Sequence, residues 1–185
     1  GTVVYAVSDG SSFTNDLAGV VPPGVDWDDF FTGDFNGDGT TDWAGSSPSD
    51  GMWRVLLGTS GGFTAPMIWG TWSTAVTFSD FLVGDFNGDG LDDVTARAST
   101  GTIVVGLSTG TGFTTSAFGA WSTTVTWENV LTGDVNGDGL TDLIGRASTG
   151  TIVAAVSVGS SFSTSAFGSW VTSVTWENVL VGDIN

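Results

Sequence analysis

The sequence predicts an all-β fold, a tandem array of four-stranded antiparallel blades, and three observations carry that expectation. The 185 residues repeat at a period of about 50. Within each unit, short runs alternate between two faces and are separated by Gly/Ser turns. No segment keeps a helical periodicity for longer than a turn.

Three markers set the repeat. Gly33-Asp34-Phe35-Asn36-Gly37-Asp38-Gly39 recurs at Gly84 to Gly90 and at Gly133 to Gly139, and a further copy begins at Gly182-Asp183-Ile184-Asn185. A strand opening recurs as Gly1-Thr2-Val3-Val4, Gly51-Met52-Trp53-Arg54, Gly101-Thr102-Ile103-Val104 and Gly150-Thr151-Ile152-Val153. Trp72, Trp121 and Trp170 each precede an aromatic by six residues (Phe78, Trp127, Trp176), with Val21 and Trp27 in those places in the first unit. The expected units are 1–50, 51–100, 101–149 and 150–185, the last incomplete, in a single array over 1–185. That is about 3.7 blades.

Each element follows from its pattern. Ile103, Val105 and Leu107 alternate with Val104 and Gly106, a period of two with β-branched residues, which reads as a strand. Asp142-Leu143-Ile144-Gly145-Arg146-Ala147 precedes the equivalent strand, joined through the turn Ser148-Thr149-Gly150. Phe162 to Trp170 follows, and Val174 to Val181 leads into the next acidic loop. Four antiparallel strands per unit, repeated in tandem, predict β-propeller blades, because a solenoid would show a shorter period and a sandwich would not repeat its turns so faithfully. With fewer than four blades, the chain is expected to be a partial ring or one completed by another chain.

Composition removes whole classes of function. Twenty acidic residues against three arginines give a formal charge of −17, which opposes binding to nucleic acid or anionic membrane. With no Cys and no His, disulfides, thiolate nucleophiles and the usual general base are absent. No run is long enough to span a bilayer, and none reads as a signal peptide. A start at Gly1 rather than Met is expected of a piece of something longer. What remains is carboxylate chemistry.

The carboxylates concentrate in Asp-x-Asn-x-Asp-Gly-x-x-Asp loops. These contain Asp34, Asn36, Asp38 and Asp42; Asp85, Asn87, Asp89 and Asp93; and Asp134, Asn136, Asp138 and Asp142. Oxygen donors at positions 1, 3, 5 and 9, with the carbonyl at position 7 (Thr40, Leu91, Leu140), suit Ca²⁺ better than Mg²⁺. Three carboxylates within ~5 Å would otherwise repel by a few kcal/mol at an effective dielectric near 20. About three structural calcium sites are therefore expected. An EF-hand is excluded, because position 12 is Gly45, Ala96 or Gly145 instead of Glu, and strands flank each loop. Asp92 falls outside the ligand pattern, so its loss is expected to matter less than that of Asp89.

These strand-flanked, periodic loops resemble the FG-GAP/VCBS class of integrin-type β-propeller repeats. The resemblance implies calcium at the three complete loops. It also implies an extracellular or cell-surface setting, as in adhesion proteins, lectins and modules attached to secreted enzymes.

The aromatics and arginines complete the reading. Trp27, Trp127 and Trp176 share one position with Phe78 and are expected to pack between blades. Trp69, matching Phe118 and Phe167, is another packing position. Trp72, Trp121 and Trp170 each follow a glycine and a small residue, so they are expected near a turn, where they are candidates for ligand contact. Arg97 and Arg146 are expected to form local salt bridges. No catalytic constellation stands out from the repeat, so no enzyme is expected. The expected function is a non-catalytic, extracellular, calcium-stabilised module that binds a protein or glycan. The alternatives are a building block that self-assembles into an oligomer or filament through incomplete blades, and an accessory domain of a larger secreted enzyme.

Overall fold

The computed structural model describes residues 2–20, 27 and 29–182. Gly1, Val21 and the acidic copy at 183–185 lie outside them. The described residues are all β. The first sheet is a hairpin of β1 (Thr2–Ser8) and β2 (Phe13–Val20). Blade I contains β3 (Asp29–Gly33), β4 (Asp42–Ser46), β5 (Met52–Leu56) and β8 (Met67–Thr71) in that order. A small hairpin of β6 (Gly58–Thr59) and β7 (Gly62–Phe63) interrupts it. Blade II runs β9 (Phe78–Gly84), β10 (Asp93–Ala98), β11 (Thr102–Ser108) and β12 (Phe113–Ala120). Blade III repeats it with β13 (Trp127–Gly133), β14 (Asp142–Ala147), β15 (Thr151–Ser157) and β16 (Phe162–Ser169). Neighbours in each blade are antiparallel and sequential, as the periodicity predicts. No helix among the described residues is long and apolar enough to cross a membrane.

The repeat extends to irregularities. The pairing of the third and fourth strands shifts register at Val3/Val4, Trp53/Arg54, Ile103/Val104 and Ile152/Val153, a bulge that bends every outer hairpin at one place. Asp80, Asn129 and Asn178 share a positive φ of 50–56°. Gly51, Gly101 and Gly150 also have positive φ, and a Cβ there would come within 2.2–2.4 Å of the carbonyl oxygen of Trp72, Trp121 or Trp170. Only glycine fits that start of the third strand. Blade I departs from the pattern at Pro66, which has no N–H for the ladder, so its fourth strand begins only at Met67. The expected strand at 174–181 is not formed: 175–177 and 179–182 carry no regular structure, and no second strand stands beside them among the described residues.

The core lies between blades. Phe35, Ala44, Trp53, Val55, Trp69, Trp72, Val94 and Ala96 form one buried cluster where blades I and II face each other. Phe86, Ile103, Val105, Phe118, Trp121, Leu143, Ala155 and Phe162 form the next. Strands with both faces covered explain why third-strand residues pack on both sides. The first strands β3, β9 and β13 neighbour one another in turn, as do β8, β12 and β16, so the blades stack face to face in chain order. The described sheets do not close on themselves.

Candidate functional site

Each acidic loop joins the first and second strands of its blade, and the three are built alike. The first Asp folds the loop around its own carboxylate. Asp34 Oδ1 accepts the N–H groups of Gly37 (2.8 Å) and Asp38 (3.1 Å), and its Oδ2 accepts that of Gly39 (2.8 Å). Asp85 and Asp134 take the amides of Gly88 and Gly90, and of Gly137 and Gly139, in the same way. These amide donors hold the Asp134 carboxyl below its ordinary range. Asn36 Nδ2 donates to Asp38 Oδ2 (2.9 Å), and Asp38 Oδ1 accepts from the Thr40 amide (2.8 Å). Asn87 with Asp89 and Asn136 with Asp138 repeat the contact.

The ninth-position carboxylates have a different environment. Asp42, Asp93 and Asp142 are fully buried. One oxygen of each accepts the amide after the first Asp (Phe35, Phe86 or Val135, each at 3.0 Å). The other accepts an amide at or just past the end of the third strand (Gly58 at 2.8 Å, Ser108 at 2.7 Å or Ser157 at 2.8 Å). Each is thus a strut tying loop to hairpin. Burial pushes the Asp93 carboxyl up to about 7 against the pull of its two amide donors, and it pushes Asp42 up too.

Among the described residues, no three acidic side chains converge on one point. The donor chemistry still fits a hard cation. Asp34, Asn36 and Asp38, with their equivalents, offer only oxygen ligands outside the core, and a carboxylate oxygen that accepts one amide keeps a second lone pair. The buried ninth-position carboxylates have both oxygens engaged, so they contribute less freely than those at positions 1, 3 and 5.

The loops also join blade to blade. The Asp92 amide donates to the Asp34 carbonyl (3.0 Å) and that of Thr141 to the Asp85 carbonyl (2.8 Å). Asp92 Oδ2 accepts the Asp34 amide at 2.7 Å. Asp92, outside the ligand pattern, thus has a partner of its own 58 residues away, where spacing within one loop cannot reveal it. Asp92→Ala is expected to lower the unfolding free energy by about 1–2 kcal/mol, while Asp92→Asn keeps an acceptor and loses less. Urea titration measures both, and an unchanged midpoint in the Ala variant would remove the link. Ser108 and Ser157, to which the sequence reading gave no role, donate from Oγ to the carbonyls of Phe35 and Phe86 at 2.6 Å. Their repeat positions were the available signal.

The tryptophans divide. Trp72 and Trp121 are 6% and 5% exposed, so the expected turn exposure does not hold for them; Trp170 is 38% exposed. Each lies against the aromatic six residues on, with centroids 5.0, 4.3 and 4.6 Å apart. Trp69 is buried, as its repeat position predicts. Trp27, Trp127 and Trp176 are half-buried; Trp27 stacks on Phe30 at 5.1 Å. The arginines form the expected local pairs: Arg97 with Asp80 (2.7 Å) and Arg146 with Glu128, and Arg54 pairs with Asp50 (2.5 Å). The Arg54 hydrogen bond holds Asp50 at about 2.

At the ends of the strands away from the acidic loops, a cleft of about 160 Å³ opens between blades I and II. Trp72, Phe78 and Phe81 line it together with the hydroxyls of Ser46, Ser73, Thr74 and Thr77. The comparisons bear on this arrangement of loops and blades. Residues 85–145, from the second acidic loop through the third and into β14, match the FG-GAP-like repeat. A solved structure of an Agrocybe aegerita lectin, described for specific recognition of non-reducing terminal N-acetylglucosamine, superposes on 76% of this chain with a TM-score of 0.62 at 21% identity. The match covers 38% of that chain, so this chain spans well under half of it. No curated protein matches the chain. The likeness shows the fold, which is β-propeller-like.

Proposed function

We propose that the chain is a non-catalytic, calcium-stabilised propeller module that binds glycans outside the cell. The carrying observation is the cleft between blades I and II, whose aromatic side chains suit the apolar face of a sugar ring and whose hydroxyls suit its rim. The Agrocybe aegerita lectin, which shares the fold, supports the ligand class and suggests terminal N-acetylglucosamine as the first sugar to try. Calcium is the resident ion of this reading. When bound, it would supply charge neutralisation to Asp34, Asn36 and Asp38 and to their counterparts in the other two loops. Three ions would bring the formal charge from −17 to −11. At a hundredfold excess over Kd each site would add about 2.7 kcal/mol, available in millimolar extracellular calcium and missing in the cytosol.

Two measurements test the proposal. Chelation with EDTA is expected to lower the melting temperature by more than about ten degrees, restored by calcium; superimposable melts would end the calcium reading. Titration with N-acetylglucosamine is expected to give a saturable change in tryptophan fluorescence that disappears in Thr74→Arg, which fills the cleft rim. A blank glycan array in calcium would overturn the glycan reading.

A further inference from the structure

Three departures from the repeat meet in the cleft between blades I and II. Trp53 stands where the other blades have Ile103 and Ile152. Ser46 stands where they have Arg97 and Arg146, and Phe78 where later units have Trp127 and Trp176. All three line the cleft. Both cleft walls belong to complete blades in the middle of the chain, so the site does not depend on what precedes or follows the array.

Each departure changes what the cleft offers. In the later units an indole closes the corresponding place. Trp127 stacks on Trp121 with centroids 4.3 Å apart and donates from Nε1 to the Ser122 carbonyl at 2.8 Å. Trp176 donates likewise to the Val171 carbonyl at 3.0 Å. Phe78 packs on Trp72 in the same way but has no N–H, so the equivalent carbonyl, that of Ser73, lacks its indole donor. Ser73 is exposed, at the cleft rim. On the buried side Trp53 brings Nε1, a donor with no acceptor among the described residues, where isoleucine has no polar atom. Such a donor is costly unless something accepts from it. Ser46, far smaller than an arginine, leaves room in the same cleft.

We propose that this cleft reads the acetamido group of a 2-acetamido sugar. Trp53 Nε1 donates to the acetamido carbonyl oxygen, and the acetamido N–H donates to the Ser73 carbonyl. The inference rests on the glycan reading of the cleft and adds to it the group that is recognised. A trans amide points its C=O and N–H in opposite directions, which suits a donor on the buried side and an acceptor at the rim. A 2-hydroxyl offers one oxygen for both tasks, and a protonated 2-amine has no acceptor for Trp53. Val76 and Phe81 give the acetamido methyl an apolar wall, and a cleft of about 160 Å³ takes one substituent rather than a chain of sugars. Nε1 is closed to solvent, so Phe81, half-buried with its ring 5.9 Å from that of Trp53, moves aside to admit the oxygen. Between blades II and III the same group would find neither partner, because Ile103 replaces Trp53 and Trp127 already caps Ser122.

Titration of the nitrogen-labelled chain, in calcium, with two methyl glycosides tests this by proton–nitrogen NMR: those of N-acetylglucosamine and of glucose, which differ only at carbon 2. The 2-acetamido glycoside is expected to bind about 10-fold tighter or more, and to shift the Trp53 indole N–H signal as it saturates. Phe78→Trp, which gives the Ser73 carbonyl the cap that Ser122 has, is expected to leave the melting temperature no lower and to cut the preference below about threefold. Trp53→Phe, which keeps an aromatic ring and removes the donor, is expected to cut it similarly. Equal affinities for the two glycosides, a Trp53 indole signal that stays in place while the 2-acetamido glycoside binds, or variants that keep the full preference would each overturn the inference and leave the glycan reading standing. Binding of neither glycoside would overturn both.

Discussion

Asp93→Ala is expected to destabilise the protein by about 2–5 kcal/mol, and to do so equally in calcium and in chelator. Asp93 is completely buried, and its two oxygens take the amides of Phe86 and Ser108. Removing the carboxylate leaves two buried donors unpaired, each at a cost of about 1–3 kcal/mol. Phe86 carries the next interface, because its carbonyl receives the Ser157 hydroxyl and its ring meets Phe162. Losing the strut therefore loosens the loop and the contact between blades II and III together. Asp89→Ala provides the contrast. Its carboxylate is exposed and bonds only within the loop, to Asn87 and the Leu91 amide, so its loss is expected to register mainly where an ion has lost a ligand. Chemical denaturation of both variants, with and without calcium, separates strut from ligand. An Asp93→Ala penalty that vanishes in chelator would show that the carboxylate serves the ion alone.

The blade order was legible because its causes are local. Alternation in Ile103 to Leu107 sets a strand, and Ser148-Thr149-Gly150 sets a turn, whatever surrounds them. Contacts between units were not legible, because the repeat gives the beat without saying which face meets which. Asp92 read as a spare carboxylate since its partner, the Asp34 amide, belongs to another blade. Trp72 and Trp121 read as exposed because glycine and a small residue precede them, yet each is buried in a cluster with residues of the following blade, Val94 and Ala96 for Trp72, Leu143 and Ala155 for Trp121; their amides donate to the carbonyls of Gly51 and Gly101 at 2.7 and 2.9 Å. Trp170 makes the same bond to Gly150 at 2.8 Å and is still exposed, so position in the array, which sequence pattern cannot weigh, decides its burial. The acidic loops were legible as oxygen clusters. Their inner division into half-buried or exposed positions 1 and 3, an exposed position 5 and a buried ninth was not, since burial of Asp42, Asp93 and Asp142 comes from the hairpin that folds back over them.

Trp53→Ala is expected to cost about 3–5 kcal/mol, among the largest effects of any single truncation in the chain. The side chain is 1% exposed at the centre of the interface between blades I and II, with ring centroids 4.9 Å from Trp72, 5.9 Å from Phe81 and Phe113, and 6.1 Å from Phe31. Four aromatic neighbours from three different strands and the segment after β8 cannot all move into the vacated volume, so a cavity term adds to the lost transfer energy. The ring makes no polar contribution to offset this, because among the described residues its buried Nε1 has no acceptor. Trp53→Phe therefore removes an unsatisfied donor along with part of the volume, and it is expected to cost less than about 2 kcal/mol. Trp53→Ile tests the repeat itself, since Ile103 and Ile152 hold this position in the other blades. If one interface design served every blade, Ile would be tolerated; the aromatic cage around Trp53 predicts instead a loss between those of Phe and Ala. Thermal and urea unfolding of the three variants checks the ranking, and an Ile variant as stable as the wild type would mean that the cage collapses readily onto a smaller side chain.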